Sequence, residues 1–100
     1  MSFVQKKCVT IIVKSSIQSS VIKEIKTLGI SGYSLSSCRG EGAHGLRIGD
    51  WSQNQNSVIT IICSEELSVK IMPHIHDKFS ENYALLIYAS DVTVLRDKKF

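Results

Sequence analysis

One hundred residues, 43% hydrophobic and 21% charged with a net charge of +3, make a single globular domain (1–100) with room for one core. That balance excludes intrinsic disorder, and the scattered Lys and Arg lack the basic stripe with interleaved aromatics of a nucleic-acid surface. No apolar run approaches the ~20 residues of a membrane span, and Met1-Ser2-Phe3-Val4-Gln5-Lys6-Lys7 has no apolar signal-peptide core, so a cytoplasmic location is expected.

The first predicted element is a strand over 7–13, with Val9, Ile11 and Val13 on one face and Cys8, Thr10 and Ile12 on the other. Ser15-Ser16-Ile17-Gln18 has the spacing of a capping box. Ile17, Val21, Ile22, Ile25 and Leu28 then recur at helical spacing until Gly29, which is placed to end the helix. A weaker alternation over 32–38, with Tyr33 and Leu35 inward, predicts a second strand. Val58 to Cys63 is nearly continuous in apolar, mostly β-branched residues and predicts a buried strand. Ser64 is a good N-cap, and Glu65 and Glu66 suit the positive end of a second helix. Leu67, Ile71, Met72, Ile75 and Phe79 share one face of that helix, while Pro73 predicts either a bend or a junction of two short helices. Tyr83 to Tyr88 predicts a further buried strand, and Val92 to Leu95 a short fifth one.

The order is β-α-β-loop-β-α-β with a short C-terminal strand, an α+β, ferredoxin-like βαββαβ arrangement. Two helices should cover one face of a four-stranded antiparallel sheet. The other face also carries apolar residues: Ile12, Leu85 or Leu86, and Val58 or Ile62, according to register. A bare face of this kind is expected to pack against further subunits.

All six glycines lie between Gly29 and Gly49, four of them in the connection between the second and third strands, about 39–57. Glycine lets a backbone approach a ligand closely, and successive N–H groups in glycine-rich turns form nests for anions. Arg39 and Arg47 flank the segment and offer bidentate contacts to phosphate or carboxylate. Gly40, Gly42, Arg47, Arg39 and His44 are therefore the candidate ligand residues. Trp51, with Ile48 nearby, is the candidate partner contact, since Trp is enriched at binding hot spots. Gly40-x-Gly42-x-x-Gly45 opens no helix and is rejected as a dinucleotide fingerprint, and no Lys-Ser or Lys-Thr closes a Walker loop.

Three cysteines, Cys8, Cys38 and Cys63, form no disulfide framework and read as small buried hydrophobes. His74 and His76, two apart on a helix, face away from each other, so no metal site is expected. No nucleophile–base–orienter trio can be assembled, so an enzyme is not expected.

Three stretches carry a resemblance: Leu28-Gly29-Ile30-Ser31-Gly32-Tyr33-Ser34-Leu35, Gly40-Glu41-Gly42-Ala43-His44-Gly45-Leu46-Arg47, and Asn82-Tyr83-Ala84-Leu85-Leu86-Ile87-Tyr88. Together they resemble the PII-like signalling proteins, nearest to the cyanobacterial regulators of sodium-dependent bicarbonate transport (the SbtB group). The resemblance spans nearly the whole chain. It implies a homotrimer with sheets facing inward and a T-loop, here about 39–57, that docks on a membrane transporter at the inner membrane. It also implies an effector, AMP, cyclic AMP, ADP or ATP, in the cleft between subunits, with no tightly bound cofactor. Gly40, Gly42 and Arg47 match the family's phosphate-holding segment. Glu41 stands where a lysine is usual, Ala43 where a serine is, His44 where an arginine is, and Leu85 where a glycine lies against the nucleotide. Glu41 and His44 thereby remove positive charge from the pocket and Leu85 adds bulk where the base or ribose would pass, which leaves three readings open. They are a nucleotide effector, a smaller anion such as bicarbonate, and an interaction module whose loop binds a protein without any ligand. Metal-responsive trimers of the CutA family share the architecture but lack so long a loop.

Overall fold

The computed structural model describes residues 2–39 and 55–96. In chain order these form β1 (Ser2–Lys14), a 3-10 turn (Ser15–Ile17), α1 (Gln18–Lys26), β2 (Ser34–Cys38), β3 (Asn56–Cys63), α2 (Glu65–Phe79) and β4 (Leu85–Arg96). The strands make one antiparallel sheet in the order β2-β3-β1-β4, with both helices on one face. No helix among the described residues is long and apolar enough to cross a membrane.

The core lies between the helices and the sheet. Val9, Ile11 and Val13 from β1 meet Ile59 and Ile61 from β3, Val21 and Ile25 from α1, and Ile71 and Ile75 from α2, all essentially inaccessible to water. Helical and alternating periodicities thus converge on one layer, as the spacing predicts. Gly29, at φ +85°, follows the end of α1 in the left-handed conformation that terminates helices. Ser64 caps α2, its hydroxyl accepting from the Leu67 amide at 3.1 Å, and Glu65 and Glu66 occupy the first turn.

Several expectations are corrected. The stretch 15–18 forms no capping box: no side chain caps the start of the 3-10 turn or of α1. The Ser15 and Gln18 side chains instead engage Ser57 of β3, a buried polar partner that outcompetes the local bond. Pro73 lies within one assigned helix rather than between two. Pro73 and Val69 are both exposed, so the Val69 carbonyl deprived of its helical partner lies on the water side.

The separate fifth strand does not exist. Val92 to Leu95 belongs to β4, which pairs with β1 from Val13↔Leu85 to Ser2↔Arg96. The extended β1 supplies ladder partners throughout, and the polar Ser90-Asp91 stretch stays in register, with Lys7 Nζ on Asp91 Oδ1 at 2.5 Å and Gln5 donating to Thr93 at 2.9 Å. Nor is 83–88 a buried strand: the strand starts at Leu85, and Leu86 and Tyr88 are exposed. Leu35 does face the helices, opposite Ile59, but β2 is an edge strand and leaves it exposed. Tyr33 precedes β2 and is exposed too, with the Lys26 ammonium 5.7 Å from its ring centre.

The register settles the bare face. Ile12, opposite Val58 and Leu86, and Ile62, opposite Cys8, lie on it together with Tyr88, Val92 and Val94. Leu85 lies on the other side and packs against the core.

Candidate functional site at the two ends of β2

The connection from β2 to β3 leaves and re-enters the sheet at the pair Cys38↔Asn56. Asn56 and Ser57, which the sequence reading places in the loop, already belong to β3 and are buried. The returning limb is tied to the start of α1: the Ser15 amide donates to the Gln55 carbonyl at 3.0 Å, the Ser15 and Ser57 hydroxyls meet at 2.8 Å, and Ser57 donates to Gln18 Oε1. A hydroxyl that is 2% exposed and bonded on both sides holds the stem of the loop in place.

Arg39 follows Cys38 directly and is exposed at this mouth. Gly40, Gly42, His44, Arg47, Ile48 and Trp51 lie outside the described residues, so of the predicted site residues only Arg39 is placed. Beside it the structure adds Asn56, which sequence reasoning missed. Asn56 shares a row of the bare face with Lys14 and Cys38, is 3% exposed, and its Nδ2 amide finds no acceptor. A buried amide donor without a partner is costly unless something accepts from it. At a loop mouth that also carries Lys14 and Arg39, the fitting acceptor is an anionic or carbonyl oxygen.

The opposite end of β2 borders a cavity of about 660 Å³. Thr60 and Ile62 line it from the bare face, with Ser31, Gly32, Tyr33, Ser34 and Arg96 around them. Three aliphatic hydroxyls, a phenol ring, one aliphatic side chain and a guanidinium make a setting for a flat polar ring or a small anion. The sequence carries one trace of this site, the Gly29-to-Ser34 stretch of the resemblance. Thr60, Ile62 and Arg96 are missed because only the sheet brings them near it. Leu85 is not among the lining residues and points to the core side.

Ser34 and Cys38 are four steps apart, ~13 Å at the usual rise per strand residue. Cavity and loop mouth are thus separated by about the length of an extended mononucleotide phosphate. Among the described residues no group of three or more His, Cys, Asp or Glu could hold a metal ion.

Residues 6–99 match the family model described as "Nitrogen regulatory protein P-II". The fold is similar to that of a PII-like signalling protein from Thermus thermophilus, at 33% identity over 95% of this chain and 94% of that one, TM-score 0.79. It is also similar to CPII, a nitrogen regulatory PII-like protein from Thiomonas intermedia, whose structure is bound to ADP, AMP and bicarbonate. There the identity is 20% over 96% of this chain and 99% of that one, TM-score 0.80. A second CPII structure, bound to ADP, AMP and acetate, matches at 18% identity over 96% and 94%, TM-score 0.81. No curated protein sequence matches the chain.

Proposed function

The chain belongs to the nitrogen regulatory protein P-II family, and from that premise we propose that it is a cytoplasmic sensor of an adenine nucleotide or small anion that controls bicarbonate uptake. The observation that carries this reading is the pairing of sites along β2, an anion-accepting loop mouth at one end and a hydroxyl-lined cavity at the other. CPII, of the same fold, binds ADP, AMP and bicarbonate. In this reading three chains pack through their bare faces into a homotrimer, and the effector lies in the cleft between neighbours. Gly40, Gly42, Arg39, His44 and Arg47 hold its phosphate or carboxylate. The base or ribose takes the cavity bordered by Ser34, Thr60 and Ile62.

The loop, about 39–57, is the T-loop. It docks on a membrane bicarbonate transporter through Ile48 and Trp51, and the effector biases the loop between docked and free states. The substitutions at Glu41 and His44 lower the positive charge, so AMP, cyclic AMP or bicarbonate fits better than ATP. Calorimetric titration with AMP, ADP, ATP, cyclic AMP and bicarbonate tests the reading. Saturable heat with AMP or bicarbonate, lost in the double variant Arg39→Ala/Arg47→Ala, is expected; no heat with any of the five overturns the sensor. Glu41 also favours a second reading, an interaction module without a ligand. Loss of transporter capture in Trp51→Ala, with no ligand able to alter that capture in the native chain, supports it.

A further inference from the structure

Resting on the sensor reading above, we propose that Asn56 donates a buried hydrogen bond to the effector. Ser57, next to it on β3, is a positioning residue that holds this donor in place from the other side of the sheet. Asn56 and Ser57 open β3, and successive strand residues point to opposite faces. Asn56 shares the bare-face row of Lys14 and Cys38, while Ser57 pairs with Val13 on the side of the helices. Both are buried.

The two differ in how their polar atoms are satisfied. Asn56 Nδ2 has no acceptor, whereas the Ser57 hydroxyl is bonded twice, donating to Gln18 Oε1 and lying 2.8 Å from Ser15 Oγ. A serine hydroxyl has one proton, and that of Ser57 goes to Gln18, so the proton of the second contact comes from Ser15. The chain of hydroxyls thus ties the 3-10 turn and the first residue of α1 to the start of β3. The Ser15 amide, donating to the Gln55 carbonyl at 3.0 Å, closes the same junction.

Strand ends are where a ladder opens first. A buried donor without a partner favours that opening, because water then satisfies it. The Ser15–Ser57–Gln18 chain opposes the escape and keeps the Asn56 amide dry and unpaired. An asparagine that served the fold alone would be paired within it. This one is held for an acceptor that arrives from outside, and beside Lys14 and Arg39 that acceptor is an oxyanion, of a phosphate or of bicarbonate. Because the donor is fixed during folding, no ordering cost remains to be met when the ligand binds.

The test reads ligand-free stability, effector affinity and amide exchange on the full chain. Asn56→Leu removes the unpaired donor at similar volume, so the ligand-free melting temperature should rise. The same variant should bind AMP or bicarbonate about tenfold more weakly in calorimetric titration. A lower melting temperature with unchanged affinity overturns the role in binding. Ser57→Ala should also weaken the titrant by about tenfold, and should cost nothing further in the Asn56→Leu background, since it acts through that amide. It should speed hydrogen exchange at the Asn56 and Ser57 amides relative to Ile59. Ser57→Thr, which keeps the hydroxyl, should bind as the native chain does. If Ser57→Ala fails to fold, Gln18→Met breaks the same chain from α1. Losses that add in the double variant, or unchanged exchange in Ser57→Ala, overturn the positioning role. No heat from the native chain with either titrant removes the sensor reading and both roles together, whereas heat with additive losses removes the positioning role alone.

Discussion

In the homotrimer proposed above, Leu86→Asp should leave a folded monomer. Leu86 sits on the bare face opposite Ile12 and is 55% exposed in the single chain, so about half of its burial free energy is still unrealised. Full burial of a leucine is worth about 1.5–3 kcal/mol, which leaves about 1 kcal/mol per protomer to be gained on association. Truncation to alanine in three copies thus costs roughly 3 kcal/mol, about two decades in the overall dissociation constant at about 1.4 kcal/mol per decade. Aspartate adds an unpaired carboxylate at the contact, on the order of several kcal/mol per copy, enough to abolish association at micromolar concentration. The single-chain core is untouched, since Val9, Ile11, Ile59 and Ile61 face the opposite side. Size-exclusion chromatography with light scattering reads the mass, and far-ultraviolet circular dichroism the fold. Native mass in Leu86→Asp, or a native chain that is itself monomeric, refutes the bare face as the assembly surface.

Ile11→Ala should act on the fold: Ile11 is fully buried between Ile59 and Ile87, and the loss should be about 2–5 kcal/mol in urea titration. The hydrogen bond from His74, and secondarily the charge of Lys78, hold the Glu24 carboxyl below its usual 4.5. Because the folded value is the lower one, this stabilisation is complete above the unfolded value and is lost as pH falls through the folded one. Glu24→Gln should therefore flatten the acid limb of a melting-temperature profile below pH 4.5; an unchanged limb refutes the contact. Burial, and then the neighbouring Cys8, push the Cys63 thiol above its ordinary 9.0. In a variant lacking the other two cysteines, Cys63 should react with iodoacetamide at pH 8 more slowly than in the urea-unfolded chain.

Element order, helix faces and the cap at Ser64 were legible because they rest on residues a few positions apart. Val21, Ile25, Ile71 and Ile75 declare their faces by spacing alone, and the pattern of small and charged residues around Arg39 already marked the loop. The family resemblance added an effector class that periodicity could not. What was misread depended on a distant partner. Ser15 and Gln18 turn from a local cap to Ser57, and Ser90-Asp91 continues β4 because β1 runs beside it. The choice between Leu85 and Leu86, open in the sequence, falls to Leu85 as the core residue because register pairs it with Val13.

From the sequence alone came the list of elements, the side each helix buries, and a glycine-rich, arginine-flanked connection suited to anions. Tertiary structure decided which residues share a face of the sheet, and with it the cavity at Thr60, Ile62 and Arg96 and the unpartnered amide of Asn56. The physical reason is range. Side-chain alternation along a strand is local and survives in one dimension. A one-residue slip in pairing exchanges the two faces, and only contacts between strands far apart in the chain select between them.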